Sequence, residues 1–173
     1  MTDLTSTPTP HSVGFPPIIG DHPEILILGS LPGIASLAQH QYYAHKQNAF
    51  WRMLEALFHI PANAEYAVRC EQVKSARLAI WDVCHSAYRP GSLDSAITHS
   101  TVIANDINGL LAQHPSIKLL AFNGNAAASL FKKHSQLIQP VSTVILPSTS
   151  PANASIPYAK KLERWSALLA FRD

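Results

Sequence analysis

Cysteine is scarce. The 173 residues hold two, Cys70 and Cys84, too few for a disulfide framework or a cysteine-rich metal cluster, so reduced thiols in the cytoplasm are the expectation. Charged residues make up only 14% and leave a net charge of +2, too weak by itself to mark a nucleic-acid binder. No apolar run approaches the ~20 residues that span a bilayer, so no membrane association is expected. The first residues lack a basic stretch followed by an apolar one, and no export signal is predicted. The nine histidines include His40, His45, His85 and His134, none in the spacing of a zincin or a zinc finger, which argues against a metal site. A Gly-x-Ser-x-Gly elbow is missing, so an esterase would lack its nucleophile.

What is present points to a compact fold. Hydrophobic residues reach 47%, and a chain of this length buries roughly 70% of its unfolded surface without help from a metal or a disulfide. One domain is expected, from Pro16 to Asp173, after a flexible Thr/Ser/Pro-rich tail from Met1 to Phe15. Four apolar runs read as buried strands: Ile25–Leu28, Leu78–Val83, Ile117–Phe122 and Val141–Leu146. Helical stripes lie between and after them. Phe50, Met53, Leu54, Leu57 and Phe58 share one face, as do Ile103, Ile107, Leu110 and Leu111. A further helix follows Gly124, and another begins near Pro157 with Tyr158, Leu162, Trp165 and Leu169 in a stripe. This alternation predicts an α/β protein, a three-layer αβα sandwich around a parallel four-stranded sheet.

In such a sheet the strand ends share one cleft, bordered by segments 29–33, 82–92, 123–125 and 147–153. Gly29, Ser30, Leu31, Pro32 and Gly33 let backbone come close to a ligand, although the spacing fits neither a dinucleotide fingerprint nor a P-loop. Tyr42 and Tyr43 offer π-faces, and with Asn48 they suggest a pocket for a flat ring. Asn48 also stands where an amide caps a helix. Both readings remain open on spacing alone. The run Pro147-Ser148-Thr149-Ser150-Pro151-Ala152-Asn153 either binds phosphate or simply closes the sheet. From Lys118 onward Lys132, Lys133, Lys160, Lys161, Arg164 and Arg172 outweigh Glu163 and Asp173, a bias that suits a phosphate backbone or a solvated helix face.

Taken in order, the blocks GSLPG with QYYAHKQNAFW, IWDVCHSAYRPGSLDSAI, FNGNAA and LPSTSPANA resemble the uracil-DNA glycosylase superfamily, most closely its DNA-deoxyinosine (hypoxanthine-DNA) branch. The resemblance spans residues 24–170. It implies excision of a deaminated base from DNA without metal or organic cofactor, hypoxanthine being the expected base. Where the related mismatch-specific enzymes carry a catalytic Asn, this chain has Leu31. The closest branch uses the Asn of an Asn-x-Phe-Trp block, which corresponds to Asn48. The second loop lacks the His-Pro-Ser start of the classical uracil enzymes. On this resemblance Tyr43 would stack on the flipped base, Asn123 and the first loop would read its edge, and Asn48 would hold the water. Ser148, Thr149 and Ser150 would grip phosphate while Pro151, Ala152 and Asn153 enter the vacated space. Lys46 is expected to contact DNA, with Schiff-base chemistry as its alternative. The protein is expected to act as a monomer on damaged DNA. Competing readings are a uracil or G:T mismatch glycosylase, a non-catalytic damage sensor and a nucleoside hydrolase.

Overall fold

A computed structural model describes residues 11–172. In chain order its elements are β1 (His11–Val13), β2 (Ile25–Gly29), α1 (Ile34–Gln39), α2 (Phe50–Phe58), α3 (Tyr66–Ser75), β3 (Leu78–Asp82) and β4 (Cys84–Tyr88). The second half adds β5 (Ile103–Ala104), α4 (Ile107–Gln113), β6 (Leu119–Asn123), α5 (Asn125–His134), β7 (Ser142–Leu146) and α6 (Tyr158–Trp165). The main sheet has four strands in the order β3-β2-β6-β7, paired in parallel throughout.

Strand alternation divides the core into its layers. Side chains along a strand point to opposite faces, and Ile25, Ile27, Leu78, Ile80, Leu119 and Ala121 pack on one side with Phe50, Met53 and Leu54 of α2, Val73 of α3 and Trp165 of α6. Leu26, Leu28, Ala79, Leu120 and Phe122 pack on the other with Leu110 and Leu111 of α4 and Leu130 and Phe131 of α5. This is the three-layer αβα arrangement that the four apolar runs predict.

Three local expectations need correction. The segment to Phe15 is no loose tail from residue 11 onward: β1 pairs antiparallel with β4, His11 opposite Tyr88 and Val13 opposite Ser86. The carbonyl of Phe15 accepts from Trp81 Nε1 at 3.1 Å, and Ile18 exchanges backbone bonds with Ile80. Main-chain pairing holds this stretch, so it carries no apolar period to read; residues 1–10 of the expected tail lie outside the described residues. Ile103 does not join the α4 stripe but sits exposed in β5, beside β4. Asp106 accepts the Gly109 N–H at 2.9 Å and starts the helix there. β7 is an edge strand with Ser142, Thr143 and Ile145 exposed, not a strand covered on both faces.

Candidate active site

Register in the parallel sheet fixes the floor of the site. Gly29 ends β2 opposite Asp82 of β3, and Asn123 ends β6 opposite Leu146 of β7. Beyond these ends opens a cavity of about 230 Å³ bordered by Gly29, Asp82, Asn123, Tyr43 and Asn48. That is below the ~300–1,000 Å³ of drug-sized pockets and suits a single planar ring. Gly29 permits the close convergence, because a Cβ there would lie 2.5 Å from Asp82 Oδ1 and 2.8 Å from the Tyr43 hydroxyl.

Tyr43 has a left-handed backbone at φ 54°, a conformation costing roughly 1–2 kcal/mol. Its neighbours hold it there. Trp51 Nε1 donates to the Tyr42 carbonyl at 3.0 Å, Tyr66 Oη accepts from the Tyr42 N–H at 3.0 Å, and Tyr42 Oη donates to the Pro16 carbonyl at 2.8 Å. The Tyr43 ring stacks on Phe50 with centroids 3.8 Å apart, so the apolar face of α2 supports it from behind. Burial raises the Tyr43 phenol and the Asp82 charge adds to the rise, while the Asn123 amide lowers it. The phenol oxygen nevertheless completes no hydrogen bond.

Asn48 precedes α2. Its Oδ1 accepts the Phe50 N–H at 2.9 Å, which fixes the orientation of the amide. The capping reading and the pocket reading therefore coexist: a second lone pair on Oδ1 and both Nδ2 hydrogens remain available.

The first loop is braced from behind. Arg89 is buried, at 2% exposure, and donates to the Leu31 carbonyl at 3.2 Å and to the Pro32 carbonyl. It also faces Asp94 at 3.5 Å, which in turn accepts from Ser30 Oγ. Ser92 Oγ accepts the Ile34 N–H at 2.9 Å. The segment after β4 thus holds residues 30–34 in place.

Asp82 was not singled out from the sequence, although a lone carboxylate ending an apolar strand at the predicted cleft was a usable signal. It is 4% exposed, and its Oδ2 has no partner. Burial pushes its carboxyl up to about 7, the Asp94 charge adds to the rise, and Arg89 opposes it.

The remaining predicted residues separate into groups. Gly29, Ser30, Leu31, Pro32, Gly33, Tyr43, Asn48 and Asn123 line the cavity together with Ser148, Thr149, Ser150, Pro151 and Ala152. Thr149, expected to grip phosphate, is corrected to an internal brace at 1% exposure. Its hydroxyl accepts from Asn123 Nδ2 at 3.0 Å, its N–H donates to Asn123 Oδ1 at 3.0 Å, and its carbonyl accepts the Ala49 N–H at 3.0 Å. Asn153 lies in a neighbouring groove with Asn125, Ser148 and Arg164. That groove adjoins the start of α5, where Gly124 at φ 100° allows an approach so close that a Cβ would meet Ser148 Cβ at 2.9 Å. Lys46 is exposed and outside both linings. Sequence reasoning also missed His45, Ser92 and Asp94 at the cavity wall.

Comparison with known proteins points to one family. The profile of the uracil DNA glycosylase superfamily matches residues 16–169. A protein of Methanosarcina barkeri named hypoxanthine DNA glycosylase is 36% identical over 143 residues, covering 81% of this chain and 87% of its own. One of the same name from Methanosarcina acetivorans is 34% identical over 158 residues, covering 90% and 96%. A solution structure from Methanosarcina acetivorans, assigned to the uracil DNA glycosylases, superposes with a TM-score of 0.75 at 33% identity, over 91% of this chain and 96% of that one.

Proposed function

The chain belongs to the uracil DNA glycosylase superfamily as a DNA glycosylase that hydrolyses N-glycosyl bonds, and we propose that its substrate is hypoxanthine, excised from deoxyinosine flipped out of DNA. Two relatives bearing the name hypoxanthine DNA glycosylase support that base. The observation that carries the reading is Asn48: an amide oriented by the Phe50 N–H at the wall of a cavity sized for one base.

The chemistry follows from that placement. C1′ is hidden in a stacked duplex, so the nucleotide swings out at a cost of a few kcal/mol, least where pairing is already impaired. Tyr43, backed by Phe50, offers its free face to the base, and the amide of Asn123 keeps one N–H and one lone pair for the base edge. Asn48 Oδ1 accepts a hydrogen bond from the attacking water and aims its oxygen at C1′. An amide is a feeble base, so positioning and electrostatics carry the rate.

DNA enters along the adjoining groove. The positive end of the α5 dipole, Ser148, Asn153 and Arg164 suit a phosphate track. Ser150 faces the rim, Pro151 and Ala152 form an exposed tip suited to the space left by the flipped base, and Lys46 contacts phosphate from the opposite loop. Unpaired Cys70 and Cys84 support work in the cytoplasm, and the protein acts as a monomer.

Asn48→Ala tests the reading. Single-turnover excision from inosine-containing DNA should fall by at least ~10²-fold while inosine-DNA binding persists; wild-type excision by the variant would remove Asn48 from the role. Oligonucleotides carrying xanthine, uracil or a G:T mismatch, assayed beside hypoxanthine, test the base. Faster release of any of them by the wild-type protein would overturn the assignment.

A further inference from the structure

Among the described residues, the buried side-chain polar atoms without a hydrogen-bond partner are Glu24 Oε2, Tyr43 Oη, Asp82 Oδ2 and Arg89 Nε. Such atoms are uncommon in folded proteins and call for an explanation. Glu24 lies away from the cavity, beside Arg77 at 2.9 Å. Tyr43 and Asp82 line the cavity, Arg89 braces the first loop behind it, and Tyr43 Oη and Asp82 Oδ1 converge on the space above Gly29. Asp82, which lines the cavity, is therefore a nearly buried acid whose Oδ1 approaches the space above Gly29 and whose enclosed Oδ2 has no partner.

We propose that Asp82 is the general acid of the reaction, donating its proton to N7 of the flipped purine as the glycosidic bond breaks. This rests on the purine reading above. When the C1′–N9 bond breaks, its electron pair leaves on the base and spreads through the imidazole ring to N7. A proton delivered there releases hypoxanthine as a neutral tautomer. The water oxygen bonds to C1′ and sheds one proton to solvent, while the Asp82 carboxylate regains one from solvent, so the enzyme returns to its starting form with one water consumed.

The surroundings favour an acid over a base. The groups facing Asp82 are the Asp94 carboxylate and Arg89 guanidinium from the segment after β4, the Tyr42 and Tyr43 phenols from the loop before α2, and the Cys84 thiol from β4. Arg89, the one cation in that set, also donates to the carbonyls of Leu31 and Pro32. An ionised carboxylate on the floor would repel the charge gathering on the departing base, whereas a neutral carboxyl stabilises it.

Single-turnover excision of hypoxanthine from DNA is measured from pH 5.5 to 8.5 for wild-type protein, Asp82→Asn and Asp82→Ala, with binding of uncleavable 2′-fluoro-deoxyinosine DNA in parallel. The wild-type rate should be flat in acid and fall up to tenfold per pH unit above about 7. Asp82→Asn keeps a donor without a transferable proton, so it should be slower and lose the alkaline limb. Asp82→Ala should lose on the order of 10²–10⁴-fold in rate. Wild-type binding of the uncleavable DNA should weaken over the same alkaline range, and Asp82→Asn binding should not. A rate that rises through pH 7, or an alkaline limb retained by Asp82→Asn, overturns the proposal while leaving hypoxanthine excision standing. If no hypoxanthine is released at any pH, the substrate reading fails, and the binding arm alone then decides Asp82: pH-independent binding by the wild-type protein sinks it.

Discussion

The protonation of Asp82 has a thermodynamic consequence that can be measured without any substrate. A free carboxyl of this type titrates near 4 in an unfolded chain, whereas burial holds it at about 7 in the folded protein. Between those values the native state keeps a proton that the unfolded state has released, so stability falls as pH rises. The native advantage is complete below the unfolded value and gone once pH passes the folded one. Each pH unit between them is worth about 1.4 kcal/mol, giving a ceiling of ~4 kcal/mol, of which ~2–3 kcal/mol falls between pH 5 and pH 8. Asp82→Asn removes the titration while preserving shape. Urea unfolding of both proteins at several pH values should show wild-type stability declining relative to the variant by that amount from pH 5 to pH 8. In thermal unfolding this corresponds to roughly 5–10 °C. A difference constant with pH would refute the reasoning, and one of opposite slope would mean that the folded protein prefers the ionised carboxylate.

Other perturbations test the scaffold around the cavity. Arg89→Met leaves the Leu31 and Pro32 carbonyls without their donor but relieves a buried guanidinium; a net loss of ~2–4 kcal/mol should lower the melting temperature by roughly 5–15 °C, which calorimetry would detect. Gly29→Ala puts a methyl 2.5 Å from Asp82 Oδ1 and 2.8 Å from the Tyr43 hydroxyl, and displacing them should cost ~1–3 kcal/mol and reduce excision more than DNA binding, as separate single-turnover and binding assays would report.

The parts of the fold that the sequence reveals are those whose stability is local and apolar. β2 and β6 are buried along their length and β3 everywhere but Trp81, and an uninterrupted apolar run is the signature of a strand covered on both faces. α2 is visible because Phe50, Met53, Leu54 and Phe58 are all buried on one stripe. β1 and β5 escape because main-chain pairing to β4 holds them. α3 escapes because Val73 is its only residue classed as buried among the described residues, leaving almost no apolar period. The site divides the same way. Asn48, Tyr43 and the first loop stand in one continuous stretch, so spacing brings them to notice together. Asp82, Arg89 and Asp94 acquire their chemistry from one another and from Gly29 across a strand register, which spacing along the chain does not express.

That same arrangement explains how charge is distributed across the protein. Among the described residues, no Lys or Arg lines the cavity, whereas Asp82 and Asp94 both do. Asp94 is anchored by Ser30 and Arg89, so its negative charge is a fixed neighbour that disfavours a second one on Asp82. Cations stand outside the cavity, with Arg164 in the adjoining groove and Lys46 exposed on the loop before α2. A cation in the pocket would favour an ionised Asp82 and remove its proton at neutral pH. Keeping positive charge out of the pocket therefore fits both proposed tasks: phosphate would be met at the rim, and the base would meet an acid that still has its proton to give.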